Sequence, residues 1–517
     1  MTRGAGKVQI REGLFRLFHG AFGALLAVLL AAGAVGWQYN APAALAVAAA
    51  LGAALWLAMR RLGPRVDAMP NKRFRLWYGG LAAVYLAALV VLGNAMAEAL
   101  ISDMGVVYET LTEFLQAGHP LANNDYYLIC NNNLGLALVL YGFYAVVGLF
   151  GIVPDGGAGI TAGISFNCLC IFAAVLLLGR AVGLATGRKS VKLLFLVMTF
   201  FFAPLYLWAP YFYSDTLCLP FLASAVLLFV RWRQKPGAGR ALALGAVIFL
   251  GYAVKGSLAV LLAAALLGGA VLPPKNLGGR RLAVFLLAML VGFMVPWGGY
   301  QRFQQGYLDW TDREAVCFPT ELWFCYGSHG EGDYSDEDVQ ACEALPTLAE
   351  RTVLVRQRIA ENYRARTPAG NLSFILHKAV RTWDDGEYGA QEYLASPLHA
   401  NLTSLFTVYG QPGFMPMVYY CQIGQFLLLA LCAAGSVLAA VRRGGGLYGA
   451  AGFYPRLSLF GVMLFLSFWE TKPRYALHFA PVLLFCAALA VAELAALRPR
   501  AARPAPETPE KTLLPLA

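Results

Sequence analysis

Residues 133–153 read NLGLALVLYGFYAVVGLFGIV, a run without a single charge. By composition it is long enough to cross a bilayer, which takes ~20 apolar residues. Whether it crosses decides the topology on either side of it. If it does, Arg180, Arg188 and Lys189 land on the opposite face from every other basic cluster. If it lies along the surface, they join Arg60, Arg61, Arg65, Lys72, Arg73 and Arg75, then Arg231, Arg233 and Lys235, then Arg280 and Arg281. Lys and Arg collect in short cytoplasmic loops. The run is therefore read as a juxtamembrane helix on the outer face, together with 104–117.

Working outward, apolar runs recur at 19–38, 42–59, 77–98, 158–181, 190–208, 212–231, 240–254, 256–273, 281–299, 414–440, 455–469 and 476–495. The expectation is an all-α polytopic protein of about 12 transmembrane helices with both ends cytoplasmic, in the plasma membrane. Composition excludes an ordinary soluble domain: of 517 residues 59% are hydrophobic, 13% are charged, and mean hydropathy is +0.59. The net charge of +11 does not point to nucleic acid, because the cations sit in short clusters between apolar runs. The N-terminal run follows Arg3, Lys7, Arg11 and Arg16 and is followed at once by the run at 42. A retained signal anchor in a helical hairpin is expected, rather than a cleaved signal peptide.

The expected organisation is an N-terminal hairpin (1–76), a membrane core (77–300) with outer loop 99–157, a large outer loop (301–413), C-terminal spans (414–495) and a flexible cytoplasmic tail (496–517). The large loop holds 16 of the 29 acidic residues. It also holds Trp310, Trp323, Phe324, Tyr326, Tyr334, Phe374, Trp383 and Tyr388, and 347–367 has helical periodicity, so it reads as a folded cap. There is no CxxC pair. Cys168, Cys170, Cys218, Cys432 and Cys486 lie in apolar runs and read as small core residues. One disulfide among Cys130, Cys317, Cys325 and Cys342 is expected if that face is oxidising, with the pairing open.

Candidate chemistry sits at the tips of the outer face. Asp103 follows a span and precedes a surface helix, where a carboxylate can accept a proton from a hydroxyl or simply cap the helix. Lys255 and Arg474 are cations against the positive-inside trend. An anion such as a lipid phosphate would explain them. So would pairing with Asp215 or Glu470, or snorkelling to headgroups. Asp215 itself could cap a helix or orient a group, and Asn131, Asn132 and Asn133 could cap or bind polar ligands. Glu331, Asp333, Asp336, Glu337 and Asp338 form an acidic turn that could hold a divalent cation, but it lacks EF-hand spacing, so a solvated turn is the simpler reading. No other cofactor is indicated. There is no Walker A, HExxH or GxSxG, which argues against ATP-driven pumping. The acceptor patterns at Asn371 and Asn401 are near chance frequency.

Several segments taken in order resemble the GT-C membrane glycosyltransferases, in particular bacterial relatives of the protein O-mannosyltransferases. They are Asp103-Met-Gly-Val-Val-Tyr108, Tyr126-Tyr127 with Asn132-Asn133-Leu134-Gly135-Leu136, Tyr213-Ser214-Asp215-Thr216, Lys255, Gly332-Asp333-Tyr334 with Glu337-Asp338-Val339, Thr382-Trp383-Asp384-Asp385-Gly386, and Lys472-Pro473-Arg474-Tyr475. The chain departs from the family pattern at Gly256, where relatives often have Pro, and at Leu322 before Trp323, where they often have His. The resemblance implies a GT-C-like fold. It also implies a polyprenyl-phosphate sugar as donor, a glycan, lipid or protein as acceptor, and transfer at the extracytoplasmic face, usually with inversion. Asp103 would then accept the acceptor proton, and Lys255 and Arg474 would hold the departing phosphate. Tyr213, Asp215, Asn132, Asn133, Trp323, Glu470 and Tyr475 would orient substrate. The competing expectation is a transporter or flippase of a lipid-linked or anionic substrate, which predicts charges near the bilayer midplane. A glycan ligase of another fold shares the donor class, and a purely structural membrane protein would leave Lys255 and Arg474 unexplained.

Overall fold

The computed structural model describes residues 3–97, 99–117, 124–274, 277–394, 402–442 and 445–497. Asn401 and most of the expected tail lie outside them. Among the described residues the helix is the repeated element and there is no strand. The solvent explains this: in hydrocarbon each backbone N–H and C=O must find its partner within the segment, which a helix provides.

Among these residues nine helices are long and apolar enough to cross a membrane, judged by length and composition. They are Gln9–Gly36, Ala41–Ala68, Asn71–Ala95, Gly156–Thr186, Ser214–Gln234, Gly279–Tyr307, Phe414–Val441, Gly449–Phe468 and Pro473–Ala495. Two shorter apolar helices, Ala238–Val254 and Gly256–Val271, occupy the expected runs 240–254 and 256–273. The expected span 190–208 is broken into Lys189–Phe200 and Pro204–Leu207. Pro204 lacks the N–H needed to continue the hydrogen-bond ladder, so the first helix stops short of it. The irregular chain after Leu207 is buried, and the Asn167 side chain donates to the Ala209 carbonyl at 2.9 Å. That bond satisfies a backbone group that helix geometry would otherwise have paired.

Leu134–Gly148, the helix of the deciding stretch, has 15 residues. At 1.5 Å per residue it is ~22 Å long, short of a ~30 Å hydrocarbon core. It packs on Ser102–Ala117 and on Ala238–Val254. The second contact is close at Gly135, where a side-chain carbon would strike the Ala253 carbonyl oxygen. Ala238–Val254 meets Gly279–Tyr307 in the same way, through Gly245 against Met289 and Gly292 against Leu242. Small residues let membrane helices approach backbone to backbone.

The cap is helical. Leu348–Arg364 carries the expected periodicity and opens with Thr347 accepting from the Glu350 N–H at 3.2 Å. Arg351, buried at its first turn, donates to the carbonyls of Leu345, Cys317 and Ala315. The fully buried Lys378 seats the cap on the membrane core. Its ammonium donates to the carbonyls of Gly327 (2.6 Å), Ser467 (3.2 Å) and Trp469 (3.0 Å), the last two at the end of the Gly449–Phe468 helix. The ten cysteines are free thiols, so the expected disulfide is not formed. Cys317 instead donates to the Leu128 carbonyl at 3.4 Å.

Candidate functional site

A cavity of about 660 Å³ lies where loop 99–157, the cap and three helix ends meet. Asp103, Asn132, Asn133, Tyr213, Lys255, Trp323, Glu470, Arg474 and Tyr475 all line it. Asp215 stands behind it, 1% exposed and paired to two of the lining cations. All ten residues singled out as a site thus come together, from segments spread over more than 370 positions of the chain (103 to 475).

The carboxylate side is built on the first turn of Ser102–Ala117. Ser102 takes φ of 56°, a left-handed conformation that non-glycine residues seldom adopt. Asp103 does not act as a simple helix cap. Tyr126 donates to its Oδ1 at 3.1 Å, and the Tyr213 hydroxyl lies 3.2 Å from its Oδ2. The Tyr213 hydroxyl is also 3.0 Å from Asn133 Oδ1, and Asn133 Nδ2 donates to the Tyr126 oxygen at 2.6 Å. Asn132 Nδ2 donates to Asn133 Oδ1 at 3.1 Å. The asparagines therefore orient two phenols, and the phenols orient one carboxylate. Desolvation, with the nearby Asp103 charge adding to it, pushes the Tyr126 hydroxyl far above its ordinary pKa, so it stays a donor.

The cationic side is built on helix ends. Lys255 is the extended residue between Ala238–Val254 and Gly256–Val271, and Arg474 is the second residue of Pro473–Ala495. Both pair with Asp215, the second residue of Ser214–Gln234, at 2.6 Å and 3.5 Å. Asp215 is thus an ion-pair partner and not a helix cap. Two cations against one carboxylate leave a local excess of one positive charge facing the cavity. The Arg474 guanidinium lies over the rings of Tyr393 (4.0 Å), Tyr213 (5.3 Å) and Tyr475 (5.7 Å); its Nε faces Asp215, while its Nη1 has no hydrogen-bond partner. A buried donor left open in this way suits an anion.

Glu470 sits between the two sides, 6% exposed, with its N–H donating to the Trp323 carbonyl at 2.8 Å. Burial pushes its carboxyl up, against the opposing pull of Lys472, Tyr475 and Arg474. Trp323 stacks parallel to Trp469 with ring centres 6.1 Å apart, forming one aromatic wall.

Sequence reasoning missed several lining residues. Trp297, Tyr300, Gln301 and Gln304 lie on the Gly279–Tyr307 helix, which continues eight residues past the expected end at 299. Their spacing of three and four was the available signal. Ser257 and Trp469 carried none, nor did His478, which stands behind Ser257.

The acidic turn does not gather round a cation. Glu331 pairs with His377 (2.7 Å), Asp333 with Arg381 (2.6 Å), and Asp338 with His329 (2.6 Å) and Arg358. Cys325, His329 and Asp338 do lie within 4.8 Å of one another. Both Asp338 oxygens are already engaged there, so a metal would have to displace a cationic side chain.

No curated protein and no solved structure matches the chain. Residues 72–495 match one family model, and the match covers the core, the cap and the whole cavity. The chain belongs to the family described as conserved hypothetical integral membrane proteins.

Proposed function

We propose that this protein is a GT-C-type membrane glycosyltransferase. In this reading it takes a sugar from a polyprenyl-phosphate donor and passes it to an acceptor hydroxyl at the extracytoplasmic face, in synthesis of a cell-envelope glycan or glycoconjugate. The observation that supports this best is a single cavity faced by a phenol-held carboxylate, Asp103, and by two cations, Lys255 and Arg474.

The chemistry divides between the two sides. The acceptor oxygen attacks the sugar's anomeric carbon while its proton passes to Asp103. The bond from that carbon to the phosphate oxygen breaks, and its electron pair leaves on the phosphate. Lys255 and Arg474 stabilise the charge that develops there, as oxyanion-hole donors do. Such a leaving group needs cations rather than a strong acid. Trp323 and Glu470 offer an aromatic face and a hydrogen-bonding group for the sugar.

The test is release of polyprenyl phosphate by the purified protein from a panel of polyprenyl-phosphate sugars. Wild type should release it, and Asp103→Asn should be slower by ~10²–10⁴. Normal turnover in Asp103→Asn would sink the assignment of the base.

One observation favours transport as a second reading. Arg456 is 2% exposed inside the Gly449–Phe468 helix, and its Nε and Nη1 lack hydrogen-bond partners. Buried cations within a span commonly mark substrate or ion pathways. Absence of release with every donor, together with uptake of a lipid-linked or anionic substrate into vesicles that Arg456→Met abolishes, would establish that reading instead.

A further inference from the structure

We propose that Ser257 is a third ligand for the donor phosphate and that His478 is the positioning residue that aims its hydroxyl; this rests on the glycosyltransferase reading. Ser257 lines the cavity two residues after Lys255. The extended backbone at Lys255 interrupts two helices, so both side chains reach the cavity from one short turn. Behind Ser257 lies His478, fully buried, with Nε2 3.0 Å from Ser257 Oγ. His478 Nδ1 has no hydrogen-bond partner.

That asymmetry decides the tautomer. A proton on Nδ1 would leave a buried N–H unpaired, whereas a proton on Nε2 leaves only an unpaired acceptor. Orphaned buried N–H groups are the rarer of the two. The ring therefore donates from Nε2 to Ser257 Oγ. With its oxygen accepting that bond, the serine hydroxyl is free to donate into the cavity. A neutral donor beside Lys255 and Arg474 complements a phosphate, which has more acceptor oxygens than two cations saturate.

The test is equilibrium binding of polyprenyl phosphate to the full-length protein in lipid nanodiscs, with inorganic phosphate as a competing probe. Ser257→Ala should weaken binding ~10- to 100-fold, the usual worth of a hydrogen bond to a charged group. His478→Phe should do the same, while His478→Gln, which keeps an N–H at the same reach, should stay within a few-fold of wild type. His478→Phe should add nothing in the Ser257→Ala background, because it acts only through that hydroxyl. Competition by inorganic phosphate should weaken by the same factor in Ser257→Ala. Wild-type affinity in Ser257→Ala, additive losses in the double variant, or unchanged phosphate competition would each overturn the proposal while leaving the glycosyltransferase reading standing. No binding of polyprenyl phosphate by folded wild type would overturn both.

Discussion

Asp215 shows how much of this site depends on one side chain. It is buried, and it faces two cations that would otherwise repel each other in a low dielectric. Removing one partner of a buried ionic cluster costs about 3–5 kcal/mol, because the remaining charge is left uncompensated. Asp215→Asn keeps the shape and removes the charge, so it should lower the thermal midpoint read by intrinsic tryptophan fluorescence. Lys255→Met in the same background removes one uncompensated cation and should recover part of the loss. A double variant less stable than Asp215→Asn alone would show that the ion pair is not what Asp215 supplies. The individual charges were legible in the sequence because Asp215 and Lys255 stand alone in apolar surroundings and Arg474 is a cation at an apolar helix start. Pairing with Asp215 was one of the readings the sequence offered for the two cations. That both meet the same carboxylate was not legible, since Asp215, Lys255 and Arg474 are 40 and 219 positions apart and only the packed helices bring them together.

At the scale of elements, the sequence showed where helices lie better than how they meet. Span positions follow from hydropathy, which every apolar run displays. The break near residue 200 is signalled by Pro204 itself and not by hydropathy. The continuation of Gly279–Tyr307 to residue 307 goes with buried polar contacts such as that of Gln304 to the Asn131 carbonyl, which hydropathy does not register. Gly135 is the sharpest case. It stands on Leu134–Gly148 next to the asparagines and against Ala253, two residues before Lys255. A methyl group there must push that helix away from Ala238–Val254 and so separate the carboxylate side from the cationic side. Gly142, on the same helix, has open space around its position. If the proposed transferase function holds, Gly135→Ala should therefore lower release of polyprenyl phosphate by at least tenfold. Gly142→Ala should keep turnover and gain a little stability, since alanine is the better helix former. Equal activities in the two variants would show that the close approach is not needed for function.

For the whole molecule, the membrane class and the folded character of 301–413 could be read from composition, because a run of aromatics among charges must bury something. How the cap sits on the core could not be read, and Asp384 marks one such contact. It follows the Pro368–Trp383 helix and is 8% exposed, with its carboxyl filling the space that a side chain at Gly33 of the first helix would need. Burial, then the neighbouring Asp385, pushes its carboxyl up to about 8. An unfolded aspartate titrates near ~3.9, so between those values the folded state holds a proton that the unfolded state has lost. Stability from this group is therefore full at low pH, falls as pH rises from about 4 to about 8, and is level above that. Glu387, raised to about 7, acts in the same direction, so the contrast that isolates Asp384 is the difference between wild type and Asp384→Asn. Asparagine matches the protonated acid in shape and cannot ionise. The variant should equal wild type near pH 4–5 and exceed it in thermal midpoint by pH 8, with the gap opening steadily between. Parallel pH profiles would mean that Asp384 stays ionised beside Gly33, and the cap would then be held against the first helix by an interaction other than a neutral, close-packed carboxyl.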